Sequence, residues 1–156
     1  MRKTLVVVGH GMVGHRLLEV AVERGLTAEW DIVVHAEEDV PAYDRVGLSS
    51  WFSGRTSAEL CLVPDGFLDT PGLELRLSDP VVAIDPESRI VTSASGLVTP
   101  YDALVLATGS TPFVPPVPGA DGPNRFVYRT LSDLEAIKSA AAGATRGAVV
   151  GGGLLG

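Results

Sequence analysis

Cysteine occurs once in this 156-residue chain, at Cys61. That excludes an internal disulfide, a cysteine-only metal site and a Cys-x-x-Cys redox pair, and it fits a reducing compartment. Aromatic residues are scarce, at 6%. Basic residues are outnumbered by acidic ones, 12 to 19, and the net charge of −7 argues against a general affinity for nucleic acid or anionic lipid. Long apolar runs are missing as well. No stretch approaches the roughly 20 apolar residues of a membrane span. Arg2 and Lys3 precede an apolar run, but glycine interrupts it after residue 8, well short of a signal-peptide core. The expectation is a soluble cytoplasmic protein without nucleic-acid or membrane partners. What is present is ordinary for a globular domain, 46% apolar and 20% charged residues, in a chain long enough to bury a core.

Glycine is plentiful, with 18 residues, as in α/β folds with many tight turns. Residues 5–8, Leu-Val-Val-Val, lack alternation and read as a buried parallel strand. From Met12 to Arg24, apolar residues at Val13, Leu17, Val20 and Ala21 predict one face of a helix, ended by Gly25. A second strand over 31–34 runs toward Glu37. Strand, glycine turn, helix and strand make a right-handed βαβ unit. Residues 42–53 have no clear period and read as loop and short helix. Residues 73–77 alternate as a third strand. Residues 81–92 and 97–99, punctuated by Asp85-Pro86 and Ser95-Gly96, read as a small antiparallel meander. Residues 103–107 form another buried strand, closing on Thr108-Gly109. Pro112, Pro115, Pro116 and Pro118 then mark an extended connector. Ser132, with Glu135 three residues on, predicts a capping box for a helix over 133–142, and Gly147-Ala148-Val149-Val150 predicts a last strand.

A strand followed by Gly-x-Gly-x-x-Gly occurs at both ends of the chain, at 9–14 and 151–156. In the first, Gly9 permits the turn out of the strand, Gly11 lets the backbone approach a pyrophosphate, and Gly14 lets helix and strand pack. The anion then sits on the helix N-terminus, where unpaired N–H groups and the helix dipole favour negative charge. Glycines cluster in many loops, but this loop follows a strand, opens a helix and is followed by an acid at the end of the next strand. Glu37 stands 23 positions after Gly14, near the spacing of about 20 expected for a ribose-binding carboxylate. Glu38 is the alternative ligand, and the strand phase favours Glu37. The second loop, with Gly151, Gly153 and Gly156, matches the same pattern for a second nucleotide. No helix or acid-bearing strand follows it, so the expectation is the front of something longer.

Two such loops, with a meander and an Ala-Thr-Gly turn after the first, resemble the two-domain FAD/NAD(P)H pyridine-nucleotide oxidoreductases. Within them, Gly-His-Gly-Met-Val-Gly-His (9–15), Ala-Tyr-Asp-Arg-Val-Gly-Leu-Ser-Ser (42–50), Leu-Ala-Thr-Gly-Ser (106–110), Phe-Val-Tyr-Arg-Thr (126–130) and Val-Val-Gly-Gly-Gly-Leu-Leu-Gly (149–156) look like the large subunit of assimilatory NAD(P)H-dependent nitrite reductases. The resemblance spans all 156 residues. It implies an α/β fold: a Rossmann-like FAD-binding domain of parallel sheet plus small antiparallel meander over 1–118, and over 119–156 a connector and the truncated start of an NAD(P)H-binding unit. It also implies that Gly9, Gly11, Met12, Val13 and Gly14 line the FAD pyrophosphate and that Glu37 holds the ribose. Arg45 takes the place of a cation near the flavin side, Val81 meets the adenine through its backbone, Ala107, Thr108 and Gly109 touch the cofactor, and Arg129 makes a further contact. Ser50 stands where many small flavoprotein reductases carry lysine, which favours the nitrite reductase pattern.

The implied chemistry is hydride transfer from NAD(P)H to FAD, with electrons passing on to siroheme and iron–sulfur centres in downstream sequence. A small subunit is a conceivable partner. No acid–base catalytic residue is assigned. The alternatives are the front of a rubredoxin- or ferredoxin-type reductase, and a truncated chain that catalyses nothing and holds FAD weakly. Among single residues, His10 occupies a free position of the loop and His15 the first helical turn. Without a Cys or carboxylate cluster around them, no metal site is expected. Ser49-Ser50 read as loop capping, Trp51 and Phe52 as a hydrophobic anchor, and Cys61 as a small buried residue. For Arg45 the competing reading is a surface arginine bonded to Asp44.

Overall fold

A computed structural model of the chain describes residues 2–151. Residues 2–110 form one compact unit and residues 111–151 belong to a second. The first unit is built on four parallel strands, β1 (Lys3–Val8), β2 (Trp30–His35), β3 (Leu73–Arg76) and β7 (Ala103–Leu106), in the order β3-β2-β1-β7. Between β3 and β7 lies a separate antiparallel sheet of β4 (Val81–Asp85), β5 (Ile90–Ser93) and β6 (Val98–Pro100). The expected α/β architecture, a parallel sheet with a small antiparallel meander, is the one observed.

The unbroken apolar runs of β1 and β2 follow from cover on both faces. Leu5, Val7, Ile32 and Val34 pack with Leu18 and Ala21 of helix α1 (Met12–Glu23). Their alternates Val6, Val8 and Val33 pack with Val91 of the meander, flanked by Val81 and Leu104. Period-two alternation thus divides one run of β-branched residues between two cores.

Helix α1 is rotated from its predicted phase. Its buried positions are Gly14, His15, Leu18 and Ala21, whereas Val13 is 75% exposed. The cause is Gly14, which seats the helix on the Gly9 carbonyl and brings a glycine and a histidine, neither counted as apolar, onto the inner face. Gly25, at φ 71°, follows the helix in the left-handed conformation expected of a terminator. Residues 46–53 form a 3-10 turn, Val46–Ser53, followed by a short helix α2 (Ser57–Leu60).

The second unit holds an extended proline-rich stretch and helix α3 (Leu131–Ala141). The cap of α3 is Thr130, not Ser132. The Thr130 hydroxyl accepts from the Asp133 N–H at 3.1 Å, and Asp133 Oδ2 accepts from the Thr130 N–H at 2.8 Å. Thr130-x-x-Asp133 forms the same reciprocal box two residues earlier, with the shorter acid in the reaching role. The strand expected at 147–150 is not formed. Those residues are irregular and exposed, because a strand needs a neighbour for its backbone groups and the unit supplies none among its described residues. Gly151 is exposed at φ 116°. Gly153 and Gly156 lie outside the described residues. Among the described residues no helix is long and apolar enough to cross a membrane.

Candidate functional site

The carboxyl ends of β1, β2 and β7 lie side by side and release their loops at the same edge. Gly9 N–H donates to the His35 carbonyl at 2.8 Å, and Ala107 N–H donates to the Val8 carbonyl at 2.8 Å. At this edge the three loop glycines meet different surroundings. Gly9 has φ 105°, and a Cβ there would stand 2.3 Å from the Ala107 carbonyl oxygen. At Gly14 it would stand 2.2 Å from the Gly9 carbonyl oxygen. At Gly11 the nearest atom is Arg45 Nε, 4.0 Å away. Two of the glycines are therefore demanded by the protein's own packing, whereas a Cβ at Gly11 would meet only the Arg45 side chain at ordinary contact distance.

Gly11 is also the N-cap of α1, whose first turn carries no side-chain cap and no acid. Helices α2 and α3 are both closed by full capping boxes, Thr56 with Glu59 and Thr130 with Asp133. The α1 terminus thus offers its N–H groups and the positive end of its dipole outward, beside exposed Met12 and Val13.

Beyond β2, Ala36 N–H bonds the Arg76 carbonyl, and the Ala36 and Glu38 carbonyls accept from Asp79 and Ser78 N–H groups. This pairing carries the chain into Val81, which packs against the second core. Glu37 is exposed, without a hydrogen-bond or ion-pair partner among the described residues. Glu38 is engaged. Its Oε2 accepts from the Tyr43 hydroxyl at 2.6 Å and its Oε1 pairs with the Arg45 guanidinium. That guanidinium lies 5.0 Å over the Tyr43 ring. Arg45 is therefore half-buried and paired with Glu38, and the Asp44 carboxylate accepts from the Val46 N–H. Thr108 and Gly109 are exposed just after β7. Arg129 belongs to the second unit, where its N–H donates to Asp133 Oδ2 at 3.0 Å.

His10 is not the free loop side chain its position suggested, and His15 lies in the first turn of α1 as expected but faces inward. His10 is buried and its Nδ1 accepts from the Ala42 N–H at 3.2 Å. His15 is buried with Nε2 donating to the Leu62 carbonyl at 3.0 Å and its ring edge-on to Phe67. Together they fasten segment 42–67 to the glycine loop and to α1. Burial, reinforced by His15, lowers the His10 pKa to about 4, so the ring is neutral near pH 7. Nothing in a lone His between two glycines signalled this, since the partner is a backbone N–H 32 residues away. Cys61 is exposed rather than buried. The Ser50 hydroxyl donates to the Gly47 carbonyl within its turn, Trp51 is half-buried, and Phe52 is half-exposed.

Residues 3–156 match the family model described as pyridine nucleotide-disulphide oxidoreductase. The nitrite reductase [NAD(P)H] large subunit of Klebsiella oxytoca is 55% identical over 99% of the chain, and the nitrite reductase (NADH) large subunit of Escherichia coli is 46% identical over 97%. The chain spans 16% and 18% of those two relatives. Among solved structures, a ferredoxin reductase from Rhodopseudomonas palustris is 30% identical, with TM-score 0.75, over 88% of this chain and 34% of that one. A water-forming NADH oxidase from Lactobacillus brevis, 24% identical, shares the fold with TM-score 0.78 over 92% of this chain and 33% of that one. Its α/β sheet, glycine loop and full-length match make the chain a member of the pyridine nucleotide-disulphide oxidoreductase family.

Proposed function

We propose that this chain is the FAD-binding part of an NAD(P)H-dependent nitrite reductase. The observation that carries the reading is the uncapped start of α1 at Gly11, with an unengaged carboxylate at Glu37 past the end of the neighbouring strand β2. An anionic pyrophosphate fits the first and a ribose diol the second. Gly9, Gly11, Met12, Val13 and Gly14 would hold the pyrophosphate, Glu37 the ribose and Arg45 the cofactor's anionic or flavin side. The Val81 backbone would meet the adenine, and Ala107, Thr108 and Gly109 would complete the contacts of the first unit. Gly151, Gly153 and Gly156 would begin the NAD(P)H loop, within a division into residues 1–118 and 119–156.

Bound FAD would accept a hydride from NAD(P)H and supply electrons onward, the protein contributing position and field. The chain's own share is to orient the cofactor by backbone donors, fix its ribose by a carboxylate, and keep the loop rigid through His10 and His15. Siroheme and iron–sulfur centres would receive the electrons in further sequence of the same enzyme, with a small subunit as partner, in the cytoplasm. The ferredoxin-reductase reading ranks second. A probable ferredoxin reductase of Castellaniella defragrans is 33% identical to the chain, against 55% for the Klebsiella nitrite reductase.

Disruption of the gene tests the proposal. The strain is expected to lose growth on nitrite as sole nitrogen source and to keep growth on ammonium. Complementation with the wild-type gene restores growth, and Gly11→Ala does not. Undiminished growth on nitrite sinks the nitrite reductase reading; rescue by Gly11→Ala sinks the assignment of the loop.

A further inference from the structure

We infer that Glu38 is a positioning residue that holds the Arg45 guanidinium at the mouth of the glycine loop, so that Arg45 can take a phosphate oxygen of a bound dinucleotide. The inference rests on the reading of that loop as a pyrophosphate site. It departs from the expectation that an acid at this point in the chain serves as a ribose ligand.

The two carboxylate oxygens of Glu38 are divided between two donors. Oε2 accepts from the Tyr43 hydroxyl at 2.6 Å, and Oε1 pairs with Arg45. Tyr43 is buried, and its ring lies under the guanidinium at 5.0 Å. Arg45 is therefore constrained twice, by a charge pair with Glu38 and by an aromatic face. The arm that carries it is anchored too. Ala42 N–H bonds His10 within the glycine loop, Asp44 N–H bonds the Leu60 carbonyl, and Leu62 N–H bonds the Ala42 carbonyl. This construction leaves Arg45 Nε 4.0 Å from where a Gly11 Cβ would stand, at the uncapped start of α1. A planar guanidinium presents five donors, so pairing with Glu38 is compatible with binding an anion through another edge. Arginine rotamer freedom is costly to freeze on binding, and a site that freezes it beforehand binds more tightly.

Positioning and simple electrostatics give opposite signs for Glu38→Gln. The substitution removes a negative charge beside a dianionic ligand, so Coulomb attraction alone makes binding tighter. If Glu38 acts by holding Arg45, binding weakens in spite of the lost repulsion. The experiment measures dissociation constants of the full chain for ADP, FAD and adenosine by calorimetry, at low and moderate salt, for wild type, Glu38→Gln, Tyr43→Phe, Arg45→Gln, the Glu38→Gln/Arg45→Gln double variant and Gly11→Ala. Folding is checked by circular dichroism. The expected result is about tenfold weaker binding of ADP and FAD by Glu38→Gln, with adenosine unaffected. Tyr43→Phe should show a smaller loss, and the double variant should be no worse than Arg45→Gln alone. Unchanged or tighter ADP binding by a folded Glu38→Gln, an equal loss for adenosine, or an additive double variant overturns the inference. If Glu38→Gln fails to fold, Tyr43→Phe decides by the same ADP-against-adenosine comparison. Were Gly11→Ala to abolish ADP binding while Glu38→Gln and Tyr43→Phe left it intact, the positioning role alone would fall. Absence of ADP and FAD binding by the wild type would bring down both readings.

Discussion

At Gly9 an added Cβ would lie against the Ala107 carbonyl and at Gly14 against the Gly9 carbonyl, at 2.3 and 2.2 Å, whereas at Gly11 it has 4.0 Å of room. Backbone cannot yield as a flexible side chain does, so Gly9→Ala and Gly14→Ala must part β1 from β7 or from α1. Gly9 adds the strain of a Cβ at φ 105°. Each substitution is expected to cost about 3 kcal/mol or more. Gly11, with φ −89° in the extended region, accepts alanine at under about 0.5 kcal/mol. Its methyl, however, stands where an anion would approach the helix terminus. Urea unfolding of the three variants, paired with FAD titration, separates the roles: Gly11→Ala should unfold like wild type and fail to bind FAD. A Gly11→Ala protein as destabilised as Gly14→Ala would refute this division of labour.

The elements show which signals survive folding. The strands over 5–8 and 103–107 were readable because they have no polar member, although only the first is buried and β7, at the sheet edge, leaves Leu106 exposed, and the meander because Asp85-Pro86 and Ser95-Gly96 punctuate it. The glycine loop was readable from spacing. The phase of α1 was not, because its inner face is set by Gly14 and His15, which carry no apolar signal. Nor was the Glu38–Arg45–Tyr43 cluster, although its members lie within eight residues, since charged neighbours in a loop usually face water. Helix α3 displays the ambiguity of capping grammar. Thr130-x-x-Asp133 and Ser132-x-x-Glu135 both satisfy it, and the first prevails with two backbone N–H groups, Arg129 and Thr130, on one Asp133 oxygen. Thr130→Ala is expected to destabilise α3 by about 1 kcal/mol, and Ser132→Ala by a few tenths at most. Helicity and thermal melts of the two variants give the check, and a larger effect at Ser132 contradicts the observed cap.

Across the first unit, the parallel sheet owes its order to cover on both faces, and the site owes its shape to segment 42–67, which β-pairing hardly touches. That segment is fastened by polar bonds from two buried histidines, and the bond from His10 makes its attachment sensitive to pH. The folded His10 pKa is lowered from the ordinary 6.5 to about 4, chiefly by burial and secondarily by His15. Protonation of Nδ1 would also remove the acceptor for the Ala42 N–H. In the unfolded chain the ring gains its proton as pH falls through 6.5, while the folded ring resists until about 4. The unfolded state therefore binds more protons across that window, and stability is full above it, declines through it and levels below it. The full difference corresponds to about 3 kcal/mol, at about 1.4 kcal/mol per pH unit. Asp79, Glu59 and Asp85, whose pKa values are lowered mainly by backbone hydrogen bonds, contribute losses at lower pH, below the ordinary carboxylate values. His10→Asn offers the Ala42 N–H a side-chain oxygen that does not titrate. Urea unfolding of wild type and His10→Asn at pH 7, 6 and 5 should show wild type losing stability relative to the variant, and curves that stay parallel would show that His10 does not carry the acid sensitivity of this fold.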